Sequence, residues 1–277
     1  VEYRDTATWQ LNTWDTKNAC AAEQILAAHV VCANGPLSSP RMPEIAGVDT
    51  FGGASFHTAK WNYEVDLKGK HVGIIGTGAS AAQVITSIVD DVAALTVFQR
   101  TPTWAMPRDD EPTPPAIKDA FKAGGYSEKL RHVDWKGELP PDPDALFTFE
   151  MLHDEQQNAA ICDGIARRIR KEVEDPDLAA LLTPDYPFFC KRVLFIDDYY
   201  SSFNKAHVKL VNDPGGVVAV NEIGVTMASG EQHEVEVLIF ATGFDSNHIP
   251  FPVTGRDNKS LADEFGANAD NNFQMTR

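Results

Sequence analysis

The sequence is short of cysteine, of positive charge and of long apolar runs, and each shortage narrows what the chain can be. Its 277 residues hold four cysteines, Cys20, Cys32, Cys162 and Cys190. They are scattered and none forms a C-x-x-C pair, so neither a zinc site nor a redox dithiol is indicated. Reduced thiols in a cytoplasmic protein are the expectation. Lys and Arg number 24 against 40 Asp and Glu, a net charge of −16. That balance argues against nucleic acid or an anionic membrane as partner. No stretch reaches the ~18 consecutive apolar residues of a membrane span. The opening VEYRDTATWQ has no signal-peptide pattern. It also lacks an initial Met, and TATWQLNTW alternates as though joining a sheet already begun. The chain ends in the polar GANADNNFQMTR. We read it as a piece of a longer protein.

Apolar residues make up 43% of the chain, enough for a substantial core. HVGIIG (71–76) reads as a buried strand. ASAAQVITSIV (79–89) carries Val84, Ile85, Ile88 and Val89 at helical spacing, and AALTVFQ (93–99) is a second strand. Together they predict a βαβ unit and a parallel sheet. AAHVVCANG, before the proline-rich PLSSPRMPEIAG, reads as another buried parallel strand, and VEVLIFATG (235–243) as a matching one. VKLV (208–211) and GVTMASG (224–230) read as strands. A helix is predicted from Glu150 to Glu174, with Ile161, Ile165, Ile169 and Val173 as its apolar stripe. Arg167, Arg168, Arg170 and Lys171 read as its solvated face.

One turn carries a chemical pattern. Gly76-Thr77-Gly78-Ala79-Ser80-Ala81 fits G-x-G-x-x-A, follows a strand and opens a helix, the context a dinucleotide site requires. Gly76 suits the tight turn, Gly78 a close backbone approach to a pyrophosphate, and Ala81 close packing of helix on strand. The phosphates would meet unpaired N–H groups and the positive end of the helix dipole. An NAD site wants an acid at the end of the second strand to hold the ribose 2′-OH. Here that strand ends Phe98-Gln99-Arg100-Thr101. An arginine pairs with a 2′-phosphate, so NADP(H) is the predicted coenzyme. The Asp90-Asp91, Asp109-Asp110 and Asp197-Asp198 pairs have no accompanying Cys/His pattern, so no metal is expected. There is no G-x-S-x-G elbow for hydrolase chemistry.

The pattern F-x-G-x-x-x-H-x-x-x-W at Phe51, Gly53, His57 and Trp61 resembles the fingerprint of type I Baeyer–Villiger monooxygenases. GKHVGIIGTGASAAQV, VFQRTPTWAMPR, LTPDYPFFCKR, DDYYSSFN and LIFATGF resemble further motifs of that family, in its order, over most of residues 9–265. Asn62 departs from the Pro or Asp usual after the tryptophan. The resemblance implies an α/β fold with a Rossmann-like NADP-binding domain flanked by incomplete parts of an FAD-binding domain. The implied division is residues 1–63 for the first FAD part and linker, and 64–205 for the NADP domain with a helical insertion over about 108–185. Residues 206–277 then return to the FAD domain.

The implied activity uses FAD, NADPH and dioxygen to insert one oxygen atom beside the carbonyl of a small ketone, giving an ester or lactone. The resemblance places Arg192 over the flavin, where a guanidinium stabilises an oxygen anion without protonating it. It places Lys191 with Arg100 and Thr101 around the 2′-phosphate. Gln83 is added to the coenzyme turn, and Ala241, Thr242 and Gly243 form a small-residue corner for close cofactor approach. Trp61 is implied as a packing anchor. His57 has no ligand or nucleophile partner nearby in sequence and is expected to act structurally, coupling coenzyme binding to domain movement. Gly52 and Gly53 are expected to allow an unusual backbone path. Two alternatives remain open, an N- or S-oxygenating flavin monooxygenase and a non-catalytic NADP-binding module. The family's FAD-binding glycine turn has no counterpart in this sequence, which holds a single such turn.

Overall fold

TWQLNTWD alternates large and polar side chains, and it folds as a strand. The computed structural model describes residues 2–4, 8–15, 20–31, 33, 35, 37–108, 112–113, 115–123, 149–245, 252–261 and 263. These divide into two units, one of residues 1–42 with 242–277 and one of residues 43–241. In the first, β1 (Glu2–Arg4), β2 (Thr8–Asp15) and β3 (Cys20–Ala27) form an antiparallel sheet in that order.

The larger unit is built on a five-stranded parallel sheet. Its strands are β4 (Ala54–His57), β5 (His71–Ile75), β6 (Ala94–Gln99), β9 (Val208–Asn212) and β13 (Val237–Phe240), in the spatial order β4-β13-β5-β6-β9. Every neighbouring pair is parallel. Such strands are buried on both faces and so read as continuous apolar runs. Val72, Ile74, Leu95, Val97, Val237 and Ile239 enter one core. Phe98, Leu238 and Phe240, one residue out of phase, enter a second.

The first face is covered by helices. α1 (Ala79–Ile88) buries Ala81, Ala82, Ile85 and Ile88. α2 (Pro115–Lys122) and α3 (Phe149–His153) precede α4 (Glu155–Glu172), which buries Ile165 and Ile169. α5 (Pro176–Leu182) starts with proline at its first turn and Asp175 as its cap. The strands β7 (Ala105–Met106) and β8 (Leu194–Phe195) pair in parallel beside them. The second face is covered by an antiparallel sheet of β10 (Val217–Val220), β11 (Gly224–Met227) and β12 (Gln232–Glu234), which contributes Val220, Val225 and Met227.

Three features differ from the sequence reading. The apolar run after Ala27 is not a strand: residues 28–31 are irregular and Val31 is 88% exposed. No described strand pairs with it, and an apolar run becomes a buried strand only where neighbours take its backbone groups. The helix expected over 150–174 is two, because Asp154 adopts an extended conformation and caps the second by accepting from the Gln157 N–H at 2.8 Å. The boundaries at 63/64 and 205/206 do not coincide with the observed units. The strands 54–57 and 237–240 both belong to the sheet that carries the glycine-rich turn, and the unit boundaries fall at 42/43 and 241/242. Asp109, Asp110, Cys32 and most of the C-terminal tail lie outside the described residues.

Candidate functional site

The parallel sheet brings its carboxyl ends to one edge, the place where open α/β sheets bind ligands. β5 ends at Ile75, and Gly76 follows with φ 114°. A Cβ there would lie 2.7 Å from the Ala241 carbonyl oxygen, so only glycine fits. The turn is tied to its neighbours on both sides. The Gly76 N–H donates to the Phe98 carbonyl at 3.1 Å, and Ala241 N–H to that of Ile75 at 3.0 Å. The buried Thr77 donates its hydroxyl to the Thr101 carbonyl at 2.7 Å. Gly78 is the N-cap of α1 and no side chain caps the helix. The space where its Cβ would stand is open. The first N–H groups of α1, from Ala79 and Ser80 onward, therefore face an uncovered helix end. Ala81 is fully buried against the sheet. An open glycine, an uncapped helix end and an adjacent arginine are what a dinucleotide phosphate group needs.

Next to this end lies a cleft of about 390 Å³, lined by Ala79, Ala82, Gln83, Phe189, Arg192 and residues 193–196. Gln83 donates to its own helix at the Ala79 carbonyl, 3.1 Å away. Arg192 is exposed. Its loop is fixed from below by the buried Asn158, whose side chain accepts from the Phe188 N–H at 2.9 Å and donates to the Phe188 carbonyl at 3.1 Å. Phe189 has φ 70°, an unfavourable conformation for a bulky side chain, and stands half-exposed at the cleft. Neither Asn158 nor Phe189 is evident in the sequence as a site residue, because the strain and the hydrogen bonds exist only in the folded loop.

Lys191 lies over the Tyr186 ring, with its Nζ 4.8 Å from the centroid. Tyr186 in turn donates its hydroxyl to the Pro102 carbonyl at 3.0 Å. Burial pushes the Tyr186 phenol up from its ordinary pKa, so it stays a donor. Through Tyr186, Lys191 is linked to the segment that carries Arg100 and Thr101. Arg100 is exposed.

The Phe51–Trp61 pattern folds as part of the same sheet. Phe56 and Trp61 make an edge-to-face contact with centroids 4.9 Å apart, and Trp61 packs on the core. His57 is 3% exposed and pairs with Phe240 of β13. Its Nδ1 accepts from the Ala59 N–H at 3.0 Å, capping the short helix that follows. The glycines have a different reason from the one expected. Gly52 and Gly53 do not have positive φ. A Cβ would lie 2.9 Å from the Glu222 carbonyl oxygen at Gly52 and 2.3 Å from that of Glu236 at Gly53. Close backbone approach requires them, beside the ring of Phe51. Thr242 and Gly243 belong to the smaller unit, where Thr242 donates to the Arg41 carbonyl at 2.5 Å and the Gly243 carbonyl accepts from the Arg41 N–H at 2.9 Å.

Among the described residues no group of His, Cys, Asp and Glu could hold a metal ion. Asp90 pairs with Lys205, and Asp197 accepts from the Arg108 N–H at 3.0 Å. No described helix is long and apolar enough to cross a membrane.

A family model for flavin-binding monooxygenase-like proteins matches residues 2–117. A Baeyer–Villiger monooxygenase of Streptomyces coelicolor is 36% identical over 264 residues, covering 90% of this chain and 48% of the relative. One from Pseudomonas aeruginosa is 37% identical over 243 residues, covering 85% and 44%. The chain is thus similar to Baeyer–Villiger monooxygenases over most of its own length. The fold agrees: the crystal structure of OTEMO in complex with FAD and NADP superposes with a TM-score of 0.79 at 29% identity, covering 96% of this chain and 56% of that one. The chain spans about half the length of the curated Baeyer–Villiger monooxygenases it matches.

Proposed function

We propose that the protein is an NADPH- and FAD-dependent Baeyer–Villiger monooxygenase, acting with dioxygen on a small ketone, and that residues 43–241 form its NADP(H)-binding part. One observation carries the reading: Arg192, at the family's active-site arginine position, lines the same cleft as the first turn of α1. The described residues suit the nicotinamide nucleotide. Gly76 and Gly78 leave room for a pyrophosphate, the uncapped N-terminus of α1 supplies donors, and Arg100 with Lys191 supplies charge for the 2′-phosphate. They offer no equivalent cradle for the flavin, since the sequence has one such glycine turn.

Bound flavin supplies the oxygen chemistry. The role assigned to this chain is to hold and orient NADP(H) and to present Arg192, a permanently charged donor, to oxygen anions formed in the cleft. The test is ketone-dependent NADPH oxidation by the whole enzyme, with identification of the product. An ester or lactone is expected. In the Arg192→Ala enzyme NADPH should still be consumed while ester formation is lost. Normal ester formation by that variant refutes the role of Arg192. Oxygenation at nitrogen or sulfur, without ester or lactone, refutes the reaction class.

A further inference from the structure

We propose that the turn Asp213–Gly216 is a coenzyme-selectivity element, which acts by holding the Arg100 side chain in place. The inference rests on the reading of Arg100 as the 2′-phosphate anchor.

The turn is attached to the end of β6. β9 pairs with β6 up to Gln99↔Asn212. The next residue, Asp213, donates its N–H to the Gln99 carbonyl at 2.9 Å, immediately before Arg100. Gln99 also donates from its side-chain amide to Asn212 Oδ1 at 2.9 Å. The Asp213 carbonyl accepts from the Gly216 N–H at 2.8 Å and closes the turn. Its carboxylate accepts from the Gly215 N–H at 2.8 Å with one oxygen and from the Ser229 N–H at 2.8 Å with the other. The Gly216 carbonyl accepts from Ala228 N–H at 2.9 Å. This short segment is thus held from three sides.

Its purpose is visible at Gly216, which has φ 71°. A Cβ on Gly216 would stand 3.5 Å from Arg100 Cδ and 3.7 Å from its Cβ and Cγ. The bare glycine is therefore a floor on which the alkyl stem of Arg100 lies. An exposed arginine loses rotamer freedom when it grips a ligand, and that loss weakens binding. A stem already resting on a fixed floor loses less, so the guanidinium is presented ready to a 2′-phosphate. A methyl at Gly216 reaches only ordinary contact distance from the stem. A branched side chain occupies the space where the stem lies.

The experiment compares calorimetric binding of 2′,5′-ADP and of 5′-ADP, which differ only in the 2′-phosphate, to the whole enzyme. Gly216→Val and Asp213→Ala are each expected to weaken 2′,5′-ADP about tenfold while 5′-ADP stays within about twofold. Gly216→Ala puts a side chain at a positive φ and is expected to lower stability, while 2′,5′-ADP affinity of the folded enzyme stays near wild type because the methyl does not displace the stem. In an Arg100→Ala background, Gly216→Val should add little, because the two changes act through one side chain. A merely structural effect would lower both affinities together or add fully to Arg100→Ala. Either result, or an unchanged preference in both turn variants, overturns the proposal. If Arg100→Ala itself leaves the preference intact, the anchor reading fails and the proposal with it. If Arg100→Ala abolishes the preference and the turn variants do not, the anchor stands and the floor alone is refuted.

Discussion

Thr77 donates its hydroxyl to the carbonyl of Thr101 at 2.7 Å, so the glycine-rich turn and the residue following Arg100 are bound to each other. Thr77 is buried, and its bond keeps the two halves of the proposed coenzyme site in register. Thr77→Val keeps the shape and removes the donor. It should lower stability by about 1 kcal/mol, read as a lower urea midpoint with unchanged slope. NADPH affinity should fall with it. Thr77→Ser, which keeps the hydroxyl, should stay close to wild type in both measurements.

Asn158 satisfies both backbone groups of Phe188, and so fixes the loop that ends in Arg192. Asn158→Leu leaves a buried N–H and a carbonyl without that partner. A loss of about 2–3 kcal/mol in urea unfolding is expected. At temperatures where the variant is folded, ester formed per NADPH consumed should drop, with coenzyme affinity little changed. An unchanged ratio would mean that Arg192 does not depend on this anchor.

His57 accepts a hydrogen bond at Nδ1, which places the proton of the neutral ring on Nε2. Asparagine can accept from the same N–H two residues on. His57→Asn should therefore preserve stability, while His57→Ala costs about 1 kcal/mol, the usual value of a lost cap. If His57→Asn loses the chemical step with fold and NADPH affinity intact, the histidine acts in chemistry and the capping role is insufficient.

Burial lowers the pKa of both His71 and His233 below their ordinary 6.5. Neighbouring Glu236 opposes this at His71 and Glu231 at His233, while Lys209 reinforces it at both. The unfolded chain therefore binds more protons near pH 6, and stability rises with pH there. This contribution is complete above 6.5 and is lost as pH falls through 6.5 toward the lower folded-state values. The urea midpoint should be lower at about pH 5.5 than at about pH 7.5, and His71→Gln should shrink the difference. Asp213 and Glu236 act in a lower window. Backbone N–H donors from Ser229 and His71, respectively, hold their carboxyls below 3.8 and 4.5, so their stabilisation is lost only in stronger acid.

The strand–turn–helix of the proposed coenzyme site was readable because its signals are local. The strand 71–75, the Gly76–Ala81 turn and the helix 79–88 lie within one contiguous stretch, where periodicity and glycine spacing act over a few residues. Arg100 followed from its place at the end of the next strand. The smaller unit was less legible. AAHVV is as apolar as a buried strand, yet nothing in those five residues says whether a neighbour will pair with them.

The sequence by itself determined the parallel βαβ unit and its glycine-rich turn, since both depend on residue types at short, fixed spacings. Tertiary structure alone decided that Val237–Phe240 inserts between Ala54–His57 and His71–Ile75, because strand pairing joins backbone groups far apart in the chain and leaves no local mark. It decided that Gly52 and Gly53 serve close approach and not a left-handed turn, and that His57 is a cap. It alone laid Arg100 on Gly216, a contact set by two strand ends meeting at one edge of the sheet.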